Sequence, residues 1–114
     1  MQYVLLIYAT ESRFEQPEGA CLLPEIVGQH ATMQGEMTAQ GVAWTAARLD
    51  ATARAKTISE TGVHDGPFAE TKEQLGGLYI VEASDEAVAL AWAKKIPLLA
   101  GGRVEVRAVI PQHA

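Results

Sequence analysis

The residues best equipped for chemistry lie in two parts of the chain. The first is the stretch VHDGPFAETKEQLGG, residues 63–77, where Asp65, Glu70, Lys72 and Glu73 stand within nine residues, fenced by Gly66-Pro67 and Gly76-Gly77. An aspartate on a turn-restricted loop can exchange a proton, and Glu70 and Lys72 beside it can orient a polar ligand. The second is His30, which falls on the apolar stripe of an expected helix. Its ordinary pKa near neutrality suits general acid–base work. A carboxylate bonded to one ring nitrogen would fix its tautomer and raise its basicity. Arg107, in the last expected strand, either holds a ligand carboxylate or pairs with Glu105 of a second copy across a dimer. Each residue also has a plainer reading. Asp-Gly-Pro is good turn chemistry without any ligand. A charge run such as Glu70, Lys72 and Glu73 is usually solvated. A lone histidine on an apolar stripe is often a hydrogen-bonded core residue.

Other chemistry is disfavoured. No phosphate-cradling glycine loop, nucleophile elbow or clustered metal-ligand motif is present. No histidine or cysteine stands three or four residues from another strong ligand, so neither a metal nor an organic cofactor is expected. His64 reads as a strand-end residue or a contributor to a weak metal site, and His113 lies in the tail. Cys21 has no activating base nearby in sequence. A lone cysteine fits a reducing cytoplasm. The net charge of −5 argues against a nucleic-acid partner. The apolar runs, VLLIYA among them, are far shorter than a membrane span, so none is expected, and no charged leader precedes an apolar stretch. The composition, 48% hydrophobic over 114 residues, fits one globular domain spanning 1–114 and located in the cytoplasm.

These candidates need a scaffold. Residues 3–8 are apolar on both faces and read as a central strand. Residues 9–21 read as a loop. A helix is expected over 22–40, with Leu22, Ile26, His30, Met33 and Met37 on one face, Pro24 in its first turn and Gly41 as its stop. Residues 42–49 and 56–60 are weaker strands, and Gly62 marks a turn. After the charged loop, 77–82 is a strand with Leu78 and Ile80 on one face and Tyr79 and Val81 on the other. Ser84 caps a second helix carrying Val88, Ala91 and Trp92. Residues 103–110 form the last strand. Phe68 reads as an anchor pinning the loop to the core.

The order β-α-β-β-β-α-β predicts an α+β domain of the ferredoxin-like, split β-α-β kind with an added strand. Two helices cover only one face of such a sheet. The doubly apolar first and fourth strands therefore predict a homodimer that buries the other face. Glu105 and Arg107 would leave that inter-subunit space partly polar.

The string DGPFAETKEQLGGLYIVEA, with YVLLIY, QGV, AWAKKIP and GGRVEVRAVI around it, resembles the DGPF-type branch of the YCII-related family. The resemblance covers nearly the whole chain. It implies a ferredoxin-like fold that dimerises into an α+β barrel, and a cytoplasmic bacterial protein, but no settled activity. Some members of the group are associated with extracytoplasmic-function sigma factors, and related domains act or have been proposed to act as enzymes. The resemblance also implies a histidine in the first helix ahead of the glycine that ends it, matched by His30 and Gly41, with Asp65 as the counterpart of an aspartate that completes a His–Asp active centre.

Two functions stay open. One is a small cofactor-independent enzyme, with His30 and Asp65 in a cleft and Arg107 or Lys72 orienting an anionic or carbonyl-bearing small molecule. Lyase, isomerase or hydrolase chemistry by proton transfer would suit it. The other is a non-enzymatic regulatory or ligand-binding module, acting with a sigma factor through the loop. A bonded His30–Asp65 pair open to a pocket favours the enzyme. A buried His30 bonded only to backbone favours the module.

Overall fold

The computed structural model describes residues 1–11, 19–68, 73–98 and 101–111, with side chains of the first helix described from residue 24 onward. Among the described residues, six strands and two helices run in the order β1 (Gln2–Ala9), α1 (Gly19–Ala39), β2 (Trp44–Arg48), β3 (Lys56–Ser59), β4 (Gly62–Asp65), β5 (Gln74–Glu82), α2 (Glu86–Lys95) and β6 (Arg103–Ala108), with a short 3₁₀ turn over Thr52–Arg54. Four strands form an antiparallel sheet in the order β2-β5-β1-β6. β5 lies between β2 and β1 and runs against both. The α1 crossover therefore joins two strands that straddle a third, an arrangement compatible with the ferredoxin-like α+β fold.

Both helices pack on one face of the sheet. Tyr3 and Leu5 of β1, Tyr79 and Val81 of β5, Met33 and Met37 of α1, and Ala89, Trp92, Ala93 and Ile96 at α2 make one core. Leu5, Met37 and Val81 are its fully enclosed members. Period-two alternation then sends Val4, Leu6, Leu78 and Ile80 to the opposite face. Register aligns them in two rows across the sheet, Thr45–Ile80–Val4–Arg107 and Ala47–Leu78–Leu6–Glu105. No described helix covers these rows. The overall dimensions, 42 × 39 × 18 Å, are those of a slab with one helical layer.

The ends of the helices are set by local chemistry. Gly41 has φ +76°, and the pair of bonds Gly41 N–H to Thr38 and Val42 N–H to Met37 closes α1 with a left-handed glycine cap. The start of α1 differs from expectation. It begins at Gly19, so Pro24 lies inside the helix and not in its first turn. The helix continues N-terminally past the point where proline marked its start. α2 is capped by Asp85 and not by Ser84. The Asp85 carboxylate accepts the Val88 N–H at 3.0 Å.

The strand expected to join the sheet does not. β3 pairs only with β4, as a separate two-stranded hairpin. The expected loop at 63–65 is β4 itself, and the turn that ends it comes at Gly66 with φ +92°. That turn is tied back to β3 by the Gly66 N–H to Ala55 and by the Thr57 hydroxyl to the Gly66 carbonyl, 2.8 Å each. All four β4 residues are exposed, and Phe68 is 92% exposed. Phe68 therefore anchors nothing in the core.

One irregularity shapes β5. Ile7 pairs with Gly77 and Tyr8 with Leu75, so Gly76 is an extra, bulged residue. Beside it Gly77 is buried against β2, where an added Cβ would stand 3.0 Å from the Ala47 carbonyl oxygen. Such a close backbone approach is what a glycine in a strand permits.

Candidate functional site

Between α1 and the helix-bearing face of the sheet lies a cleft of about 520 Å³. Its lining is mostly apolar, with Ile7, Ile26, Val27, Ala46 and Leu98 among the contributors. A few polar groups converge in it: His30 and Gln34 from α1, Tyr79 and Gln74 from β5, Arg48 from β2, and Glu11. An apolar cleft with a small polar set is the usual form of a small-molecule site.

The polar set begins with helical spacing. His30 and Gln34 are four residues apart and so share one face of α1. That face lies over β5, where alternation points Tyr79 at the helices. The Tyr79 hydroxyl stands 2.7 Å from His30 Nδ1 and accepts a 2.9 Å bond from Gln34 Nε2. The two rings also stack, with centroids 5.7 Å apart and planes inclined by 15°. Burial lowers the His30 pKa below the usual histidine value. Burial likewise raises the Tyr79 pKa, while the Gln34 bond pulls it partly back. Near neutrality the couple is therefore an uncharged imidazole beside an uncharged phenol. The phenol can give its proton to Nδ1 or accept one from it, and Nε2 remains as the ring nitrogen for a ligand.

The far end of the cleft is braced by Glu11. Its backbone N–H bonds to the Gln74 side chain at 2.9 Å, and its two carboxylate oxygens accept the Thr52 N–H and hydroxyl at 2.9 and 2.8 Å.

The residues singled out from sequence are dispersed. His30 is in the cleft. Asp65 ends β4 on the hairpin, where Lys56 holds its carboxylate in an exposed ion pair. The two are not brought together within the chain, and Asp65 does not line the cleft. His30 is bonded neither to a carboxylate nor to backbone but to a phenol. Arg107 pairs with Glu105 on the open face of the sheet, away from the helices. Glu70 and Lys72 lie outside the described residues, as does the Cys21 side chain. Glu73 meets Arg103 at 3.1 Å. His64 bonds the Ser59 and Thr61 hydroxyls across the hairpin turn. Among the described residues, no three His, Cys, Asp or Glu side chains converge as a metal cluster, and no helix is long and apolar enough to cross a membrane.

Sequence reasoning missed Tyr79, Gln34, Arg48 and Glu11. The i,i+4 relation of Gln34 to His30 and the inward phase of Tyr79 on β5 were both readable. Their meeting depends on α1 crossing β5.

The fold and cleft define an α+β domain with a small-molecule-sized site between its first helix and its sheet. The YCII-related domain family matches residues 1–113, and the chain belongs to that family. It is 33% identical over 103 residues to an uncharacterized protein of Rhizobium meliloti (strain 1021), an alignment covering 84% of this chain and 80% of that protein.

Proposed function

We propose that this chain, a member of the DGPF branch of its family, is a cofactor-independent acid–base enzyme. His30 is its proton-transfer residue and Tyr79 its partner. The observation that carries this reading is the His30 Nδ1–Tyr79 hydroxyl bond at the wall of an apolar cleft. A substrate C–H next to a carbonyl would give its proton to Nε2, and the electron pair would shift toward the carbonyl oxygen. Nδ1–H then donates to the Tyr79 oxygen, so the phenol follows the charge state of the ring. Return of the proton at a second carbon completes an isomerisation without metal or organic cofactor. The test is solvent exchange. A panel of small carbonyl acids in D₂O should lose C–H signals faster with the protein than in buffer. His30→Ala should slow this by about 10²-fold or more. No exchange above buffer, or exchange unchanged in His30→Ala, overturns the reading.

The active form is a homodimer in the cytoplasm. Two open sheet faces stack through the rows bearing Val4, Leu6, Leu78 and Ile80 and close an α+β barrel, with Glu105 and Arg107 at the margin. Such an interface should bury well over about 1,000 Å². A monomer in light scattering at micromolar concentration overturns it.

A second reading, a non-enzymatic module associated with an extracytoplasmic-function sigma factor, is favoured by the hairpin. Ile58, Val63 and Phe68 are 78%, 66% and 92% exposed on it, a surface suited to a protein partner. Co-purification that depends on these three residues, with no exchange activity, would select it.

A further inference from the structure

Four arginines lie among the described residues, and three of them are paired. Arg54 meets Asp50, Arg103 meets Glu73, and Arg107 meets Glu105. Arg48 has no acid partner among the described residues, in a chain with 14 acids and 9 bases. It lines the cleft. The described acid that also lines the cleft, Glu11, gives both carboxylate oxygens to Thr52. Among the described residues, the cleft thus holds a guanidinium whose charge no acid answers.

Its position follows from register. Ala46 is opposite Tyr79 and Arg48 is opposite Gly77. Arg48 therefore lies two residues, about 7 Å, further along the same face of β2 than the level of the His30–Tyr79 couple. Gly77 puts no side chain into the floor between them. Apart from the amides of Gln34 and Gln74, the remaining lining is apolar, with Ile7, Ile26, Val27 and Leu98 among it.

We infer that the cleft binds a small organic monocarboxylate. Arg48 takes the carboxylate, the apolar wall takes the body, and a carbon a few bonds from the carboxylate comes to rest at His30. A guanidinium matches a planar carboxylate with two parallel N–H···O bonds. A single cation favours a monoanion over a phosphate dianion. This deepens, and rests on, the proton-transfer reading above, since it names the class of substrate for the same cleft.

The experiment compares benzoate with its uncharged isostere benzamide, titrated into the full chain and read by calorimetry and by the NMR shifts of residues lining the cleft. Benzoate should bind, shifting Tyr79 and Ala46, at least about tenfold more tightly than benzamide, the size of a hydrogen bond to a charged group. Arg48→Met should abolish that preference, and Arg48→Lys should retain part of it. Arg48 is exposed, so both variants should keep the wild-type melting temperature. Inorganic phosphate should compete weakly. No binding of benzoate, equal binding of benzoate and benzamide, or a preference unchanged in Arg48→Met overturns the inference. Charge-selective binding with no solvent exchange of any carbonyl acid would instead overturn the enzymatic reading and leave the carboxylate site standing.

Discussion

The Tyr79 hydroxyl is 2.7 Å from His30 Nδ1, across 49 residues of sequence, and joins the middle of the first helix to a central strand of the sheet. It is also the acceptor of the Gln34 amide, so one oxygen satisfies two polar side chains against the core.

Removing that oxygen should be felt in stability as well as in chemistry. Tyr79 is 2% exposed, and Tyr79→Phe leaves His30 and Gln34 without their shared partner. The expected loss is about 1–2 kcal/mol. Urea unfolding of the two proteins measures it, and coincident transitions would show that the oxygen does not contribute.

The protonation of His30 should be independent of Asp65. Lys56 holds Asp65 on the hairpin, and burial is the cause of the lowered His30 pKa. An NMR titration should place His30 below the ordinary value of 6.5 in both wild type and Asp65→Ala. A shift between the two proteins would show that Asp65 reaches the cleft after all. The sign for stability follows. The unfolded chain binds a proton near pH ~6.5, while native His30 resists it until lower pH. Native stability should therefore fall as pH drops below about 6.5 and level off below the native pKa. His30→Gln should remove that part of the slope.

Gly77→Ala should disturb both fold and cleft. The new Cβ meets backbone, the Ala47 carbonyl at 3.0 Å, which no rotamer change can relieve. The edge strand β2 must give way by a few tenths of an ångström, at a cost of about 1–3 kcal/mol. Arg48 rides on that strand, so benzoate binding should weaken in parallel. A variant with wild-type stability would mean that β2 moves freely at this point.

The proposed dimer can be tested from within the apolar rows. Ile80→Asp puts a charge between Val4 and Thr45 on the open face, at a position outside the buried core. The expected product is a folded monomer, read as halved mass in light scattering with an unchanged far-ultraviolet spectrum. A dimer that survives the change would locate the contact elsewhere.

Much of this scaffold was legible in the sequence because it is written in periodicity. β1, β6 and the Met33–Met37 stripe announce themselves, and Gly41 stops its helix with the chemistry expected of it. The hairpin was not legible. Gly62 and Gly66 both signal turns, and Val63 alone between them gives no alternation to reveal a strand. The cleft was half legible. His30 was visible as a histidine on an apolar stripe, but Tyr79 is a good strand residue in its own right, and nothing in its neighbours marks it as chemical. Arg48 is conspicuous only once the pairing of every other described arginine is known.

The bulge at Gly76 acts as a phase switch. Downstream of it, Gly77, Tyr79 and Val81 point toward the helices. Strict alternation would carry that parity back to Leu75, yet Leu75 opposes Tyr8 and faces away, while Gln74 opposes Ala9 and lines the cleft. By standing outside the pairing, Gly76 thus keeps an amide and not a leucine at the site, and that amide supplies the acceptor for the Glu11 N–H. Deleting Gly76 would conserve every side chain in the protein. It would also leave the parity intact, with Leu75 still opposite Tyr8 and Gln74 opposite Ala9; only drawing Gly76 into the regular pairing would turn Gln74 out onto the open side of the sheet and bring Leu75 into the cleft.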